Sequence, residues 1–383
     1  MSFERIISEN KNWIEQTWKK IDKKLSVTAI KSRDKIPYTS INGVHDDHSQ
    51  GERILLWTNG FWGGLMWLMY SETKKECYKI TAENSEKLMD GAFSYMADLY
   101  HDVGFMWHIL SGANYRITGN TQARNRNLLA AMTLMSRYNV DGNYIRAWNG
   151  KWDGENNDGW TIIDCLMNLS ILYWASKEIG DDRFKKIAMR HADMAMRDHV
   201  RADGSVNHIV VHDTEKADTV IETKAGQGYA VGSSWSRGVA WALYGFVISY
   251  IHTKEQKYMD TAKKVAHYFI ANVANTDWLP LLDFRAPETP VYYDSTAGAI
   301  AACGLIEMAK HCSEFERDTY LQSALKILQA MEKNWCNWTE NEDGILQMGS
   351  ERYTSGIHKP IIYGDYYFVE AILKLKGSEF FPW

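Results

Sequence analysis

Two kinds of helix alternate along this chain, and few folds accommodate that pattern. Six segments are apolar around their whole circumference. They are WTNGFWGGLMWLMY from Trp57, DVGFMWHILSGANY from Asp102, TIIDCLMNLSILYW from Thr161, SSWSRGVAWALYGFVISYI from Ser233, DSTAGAIAACGLIEMAK from Asp294 and YGDYYFVEAILKL from Tyr363. Their starts lie about 45, 59, 72, 61 and 69 residues apart. Between them, residues 6–25, 85–100, 123–138, 182–200, 256–273 and 317–335 carry apolar side chains at three- and four-residue intervals, with Lys, Arg and Glu elsewhere. A helix apolar all round has to be covered on every side, whereas a striped helix is covered on one. Six of each, alternating, predict two concentric layers: an all-α closed toroid of six helix pairs, an (α/α)6 barrel, with residues 1–383 as a single domain. No Pro-, Gly- or Ser-rich linker interrupts the pattern. Strand character is confined to a long loop, where residues 205–212 and 219–226 read as a hairpin.

In such a ring the N-termini of the inner helices open at one end. Small residues there (Gly60, Gly63, Gly64, Gly104, Gly238, Gly298) permit close approach, so polar side chains at those ends face a common cavity. Two acids stand at such ends. Asp164 interrupts the otherwise apolar run GWTIIDCLMNLSILYW, and Asp102 sits in HDVGFMWHIL. A carboxylate taken out of water costs several kcal/mol unless it is paired, hydrogen-bonded or protonated. The plain structural readings are that Asp102 caps the helix beginning VGFMW and that Asp164 caps or pairs with a base. Asn168, four residues after Asp164, shares its helix face. If both acids enter one apolar, aromatic cavity, burial and mutual repulsion raise at least one pKa. The result is a general acid beside an ionised carboxylate, the division of labour that carbohydrate-active enzymes use.

Aromatic residues make up 13% of the chain, including 16 Trp and 21 Tyr, more than a core needs and suited to stacking on flat sugar faces. Candidates for such walls are Trp57 and Phe61, one turn apart, and Trp148 in a connecting loop, as well as Trp235 and Trp241 in GQGYAVGSSWSRGVAW. The same stretch supplies Gln227 and Arg237, whose planar fork suits a carboxylate and whose alternative is an internal salt bridge. His208 in SVNHIVV is a candidate ligand contact, whereas His45 and His48 in VHDDHSQGE read as a solvated loop without metal-ligand spacing.

A net charge of −5 gives no footprint for nucleic acid or an anionic membrane. Five cysteines without a CxxC pair imply reduced thiols and a cytoplasmic setting, and neither a signal-peptide pattern nor an apolar run long enough to span a bilayer is visible. GxxxxGK[ST] is absent, and so is GxSxG after a strand.

The motifs WTNGFW, LYHDVGF, YIRAWN, TIIDCLMNL, GQGYAVGSSWSRGVAW, DSTAGAIAACGL and IIYGDYYFVEAIL, in that order, resemble the unsaturated glucuronyl hydrolases of glycoside hydrolase family 88. The resemblance implies the same barrel, no metal and no organic cofactor, and a monomer or homodimer. The substrate it implies is a di- or oligosaccharide left by a polysaccharide lyase, ending in a Δ4,5-unsaturated uronic acid. By position in the motifs, Asp164 matches the acid that protonates C4 and then acts as base on water, with Asp102 assisting. Trp57, Phe61, Trp148, Trp235 and Trp241 are implied to shape or stack on the sugars, and His208, Gln227 and Arg237 to hydrogen-bond the unsaturated ring or its carboxylate. Near the C-terminus Ser355, His358 and Lys359 fall where some members read sulfate, though their spacing departs from that cluster. The competing readings are an unsaturated rhamnogalacturonyl hydrolase acting on pectin fragments, an inverting glycosidase on the same barrel, and a non-catalytic carbohydrate-binding barrel.

Overall fold

The computed structural model of the chain describes residues 2–152 and 154–383. Twelve α-helices are found among them: α1 (Ser2–Lys31), α2 (Gly60–Thr73), α3 (Glu76–Met89), α4 (Ser111–Thr118), α5 (Thr121–Ser136) and α6 (Cys165–Ile179), followed by α7 (Asp182–Asp198), α8 (Ser236–Thr253), α9 (Gln256–Ala274), α10 (Ser295–His311), α11 (Glu314–Trp335) and α12 (Ile362–Lys376). The even-numbered helices form the inner ring. α2 touches α4, and α6 meets the π-helical turn Gly104–His108 that precedes α4. From α6 onward, α6, α8, α10 and α12 touch in succession, α12 returns to α2, and α1 closes the outer layer between α11 and α3, so the toroid is complete.

The two layers differ in burial as their sequences require. Every residue from Ser295 to Ala309 of α10 and from Ser236 to Ser249 of α8 is buried, whereas α7 buries one stripe made of Phe184, Ala188, His191, Ala192, Met194 and Ala195. Each large apolar side chain so covered contributes roughly 1.5–3 kcal/mol relative to exposure. One continuous core runs from Ile6 to Trp383, with a small satellite of Ala147, Trp160, Ile162 and Ile209 beneath the loops.

The two ends of the ring are unlike. Inner helices pass to outer ones through two residues each (74–75, 119–120, 180–181, 254–255 and 312–313). Four of these turns are tight because Lys74, Gly119, Gly180 and Lys254 take left-handed conformations just past the helix end. At the opposite end the connections are long: 32–59, 90–103, 137–164, 199–235, 275–294 and 336–361.

Three local departures from the sequence reading all lie at this long-loop end. The second inner segment opens as a π-helical turn, Gly104–His108, and breaks at Leu110 before α4. The third begins later than expected. Trp160–Ile162, aromatic and β-branched, forms a strand that pairs antiparallel with Ile209–His212, which in turn pairs with Val220–Lys224. The expected hairpin is therefore present and enlarged to three strands. Finally, the segment expected as helix over 85–100 is α3 followed by a 3₁₀ stretch, Asp90–Asp98, kinked at Tyr95.

The loop expected to be solvated around His45 is also corrected. His45 is buried, shares a hydrogen bond with Ser32 Oγ at 3.0 Å and meets Trp62 edge-on at 5.2 Å, and burial lowers its pKa to about 4. Among the described residues no helix is long and apolar enough to cross a membrane, and none of the five cysteines is in a disulfide.

Candidate active site

The long connections carry the candidate residues to the open mouths of the inner helices. Asp102 lies in the turn before the π-helical segment and Asp164 immediately before α6. His208 and Gln227 flank the hairpin, Trp57 precedes α2, and Trp235, Arg237 and Trp241 begin α8.

Neither acid is a helix cap. Asp164 occupies the N-cap position of α6 without a side-chain capping bond, and the π-helical turn is preceded by Val103. The two acids are instead linked through Asn168. Its Nδ2 donates to Asp102 Oδ1 at 3.1 Å and to the Asp164 carbonyl at 3.4 Å, while its Oδ1 accepts the Phe105 N–H at 2.8 Å. Gly104 makes this contact possible, since a Cβ there would lie 2.6 Å from Asn168 Oδ1.

The carboxyl of Asp164 is nearly enclosed, its side chain 14% exposed, and Oδ1 has no hydrogen-bond partner among the described residues. Burial raises its pKa to about 7, against a smaller opposing pull from the Arg237 charge. Asp102 is raised as well, first by burial and then by the charge of Asp164. Two buried carboxyls in one electrostatic field cannot both ionise freely, so they titrate as a pair.

Two histidines attend the acids. His208 Nδ1 accepts the Gln227 backbone N–H at 2.9 Å, which places the ring proton on Nε2, 3.6 Å from Asp164 Oδ1. Burial and the Arg237 charge depress its pKa to about 3, so the ring is neutral. His101, which the sequence reading passed over, sets Nε2 at 3.3 Å from Asp102 Oδ2 and is also held neutral, chiefly by burial. Its only signal in the sequence was adjacency to Asp102.

The aromatic wall is partly different from the expectation. Trp57 is half-buried and packs on Tyr363 at 4.9 Å and Phe105 at 5.2 Å, and Trp148 is likewise half-buried. Phe61 and Trp241, expected to stack on sugar, have no exposed surface and are corrected to backing positions. Phe61 is enclosed by Trp57, Phe105, Tyr363, Tyr366 and Tyr367, and Trp241 by Trp57, Phe105 and Tyr367. They fill the space between α2, the π-helical turn, α8 and α12. Trp235 is covered too, by His208 at 4.3 Å and by the Arg237 guanidinium at 4.4 Å.

Arg237 is the largest correction. Its guanidinium does not stand open for a carboxylate; the internal salt bridge is what forms. Nη1 donates to Asp294 Oδ2 and to the Ser350 carbonyl, both at 2.5 Å, and Nη2 to the Glu351 carbonyl at 2.6 Å, leaving Nε without a partner among the described residues. Gln227 joins the same loop, its Nε2 donating to the Glu351 carbonyl at 2.8 Å and its carbonyl accepting the Tyr353 N–H at 2.9 Å. Lys359 is bound to the Glu351 carboxylate and covers the Tyr38 ring at 4.8 Å, while His358 Nε2 accepts the Tyr293 N–H at 2.9 Å.

Known proteins share this architecture and much of the sequence. An unsaturated glucuronyl hydrolase of Bacillus sp. (strain GL1) is 36% identical over 84% of this chain and 86% of its own length. An unsaturated chondroitin disaccharide hydrolase of Streptococcus pneumoniae is 31% identical over 83% of this chain and 81% of its own. The crystal structure of the Bacillus sp. GL1 enzyme superposes with a TM-score of 0.86 at 33% identity, covering 94% of this chain and 97% of that one. A structure of a mutant unsaturated glucuronyl hydrolase from Streptococcus agalactiae, complexed with dGlcA-GalNAc6S, gives 0.80 at 26% identity over 97% of this chain and 93% of that one. With the family profile matching residues 29–378 as well, the chain belongs to Glycosyl Hydrolase Family 88 and is a glycosidase.

Proposed function

We propose that the protein releases a Δ4,5-unsaturated uronic acid from the non-reducing end of lyase-generated oligosaccharides, with Asp164 as acid and base and Asp102 assisting. The supporting observation is the pair itself: an enclosed carboxyl with a pKa near 7 and an unpartnered oxygen, beside a second carboxyl held by an amide. An unsaturated uronate is an enol ether. Protonation of C4 by Asp164 leaves positive charge shared between C5 and the ring oxygen. Asp164, now ionised, takes a proton from water as the water oxygen bonds to C5. The C5–O5 bond of this hemiketal then opens to a ketone, and the hemiacetal left at C1 collapses to an aldehyde and expels the next sugar as its alcohol. Neutral His208 and its Nε2 proton stabilise the carboxylate of Asp164 between the two proton transfers. Substrate names attached to the relatives, glucuronyl and chondroitin disaccharide, support a glycosaminoglycan fragment as the saccharide.

The unsaturated ring absorbs in the near ultraviolet, so turnover of chondroitin or hyaluronan lyase disaccharides should bleach that band, while the matching saturated disaccharides remain intact. Cleavage of the saturated sugars would replace this mechanism with ordinary attack at the anomeric carbon.

A pH dependence follows from the raised carboxyl. The neutral form of Asp164 is the one that donates; it is populated below its folded pKa and lost above it. The basic limb of kcat/KM on a lyase disaccharide should therefore have its midpoint at about 7. A rate still rising at pH 9 would exclude Asp164 as the acid.

A further inference from the structure

Two raised carboxyls that titrate as a pair work as an acid only if the last proton resides on the correct one, and burial alone does not make that choice. The surroundings of the pair do. Around Asp102 stand His101 and Tyr100 from its own turn, Arg137 from the end of α5, and Asp164, Cys165 and Asn168 from α6 and its approach. Around Asp164 stand His208, Arg237, Cys165 and Tyr367. Of these, Asn168 makes the hydrogen bond to a carboxyl, at Asp102 Oδ1, while His101 Nε2 lies 3.3 Å from Asp102 Oδ2.

Its orientation is not free. The Phe105 N–H can donate only to the amide oxygen, so Oδ1 is fixed on the backbone at 2.8 Å and the NH₂ group is turned toward the acids. One N–H then points at Asp102 Oδ1. A donor aimed at a carboxyl oxygen favours the ionised form, and the Arg137 guanidinium acts in the same direction, both opposing the larger upward push of burial and of the Asp164 charge on Asp102. Among the described residues Arg137 has no carboxylate in contact: it donates to the carbonyls of Arg146, Leu99 and Ala147 and to the side chain of Asn149. Asp164 Oδ1 accepts no hydrogen bond among the described residues; His208 Nε2 stands 3.6 Å away, beyond hydrogen-bond distance.

We propose that Asn168 is the positioning residue that biases the pair's proton toward Asp164, its N–H stabilising the ionised form of Asp102. This rests on the reading of Asp164 as the acid given above. Asn168 acts through Asp102 and is not itself a catalytic residue.

The test separates this role from simple packing. Asn168→Asp keeps an oxygen for the Phe105 N–H but presents an acceptor to Asp102. It should move the acidic limb of kcat/KM up by about one pH unit or more and lower kcat about 10²-fold, with KM within about threefold. Asn168→Ser, too short to reach Asp102, should move the limb in the same direction. A uniform loss of rate with the acidic limb in place would overturn the proposal. A second measurement needs no turnover: ¹³C NMR of labelled aspartate in Asp164→Asn, with and without Asn168→Ser. The Asp102 carboxyl should titrate about one unit higher in the double variant, and coincident curves would overturn the assignment. Failure of the parent enzyme to process unsaturated saccharides would strike the proposed activity and leave this titration to be read on its own.

Discussion

Asp164→Asn should lower kcat on an unsaturated lyase disaccharide by about 10²–10⁴-fold, equivalent to roughly 3–5 kcal/mol of transition-state stabilisation. The amide matches the carboxyl in shape and fits the same enclosure, but it holds no acidic proton for C4 and is no base for water. Binding should persist, because Trp57, Trp148 and Gln227 are untouched. Following the near-ultraviolet band for turnover and calorimetry for affinity distinguishes the cases. Loss of rate with retained affinity is the expected result. Turnover within tenfold of the parent would remove Asp164 from the chemistry. A barrel that merely bound carbohydrate would have shown no turnover to lose.

The second large effect is on stability. Asp294→Ala should destabilise the protein by about 3–5 kcal/mol, read as a lower denaturation midpoint. Asp294 is completely buried. One oxygen holds Arg237, and the other accepts the Thr296 N–H at 3.1 Å, the Thr296 hydroxyl at 2.6 Å and the Ser350 N–H at 3.3 Å. Alanine removes the cap of α10 and strands a guanidinium that is only 1% exposed. Capping alone accounts for about 1 kcal/mol, and the uncompensated charge supplies the remainder. Asp294→Asn, which keeps acceptors for Thr296 but lacks the charge, should fall between. Equal stability of the alanine variant and the parent would mean that water reaches Arg237 and that its burial is not what fixes the 350–351 loop.

The ring was legible because its signal is periodic and local. A helix covered on all sides shows it in every residue, and the alternation of α7-like stripes with α8-like solid apolar runs leaves few other closed arrangements. What escaped was at the loop end. Thr161 and Ile162 were absorbed into a helix because the apolar run continues through them, although their β-branched side chains suit the strand they form. The acids were legible for a different reason: Asp164 stands alone among apolar neighbours, and such a residue needs an explanation. Arg237 was misread because its partners are remote in sequence. Asp294 lies 57 residues on and Ser350 lies 113 residues on, and no local pattern announces that either will meet it. Phe61 and Trp241 show a similar limit, since an aromatic side chain at an inner-helix mouth can face the opening or the axis, and only packing decides.

The five two-residue turns on the back of the ring have an evolutionary corollary. They set the spacing of the inner and outer helices independently of anything that happens across the barrel. Doubling the length of a front connection adds only about 0.6 kcal/mol of closure entropy. Lineages sharing this scaffold are therefore free to lengthen, shorten or recharge the front connections, such as 275–294 or 336–361, and so to exchange one polysaccharide diet for another while the circle of helices behind stays the same.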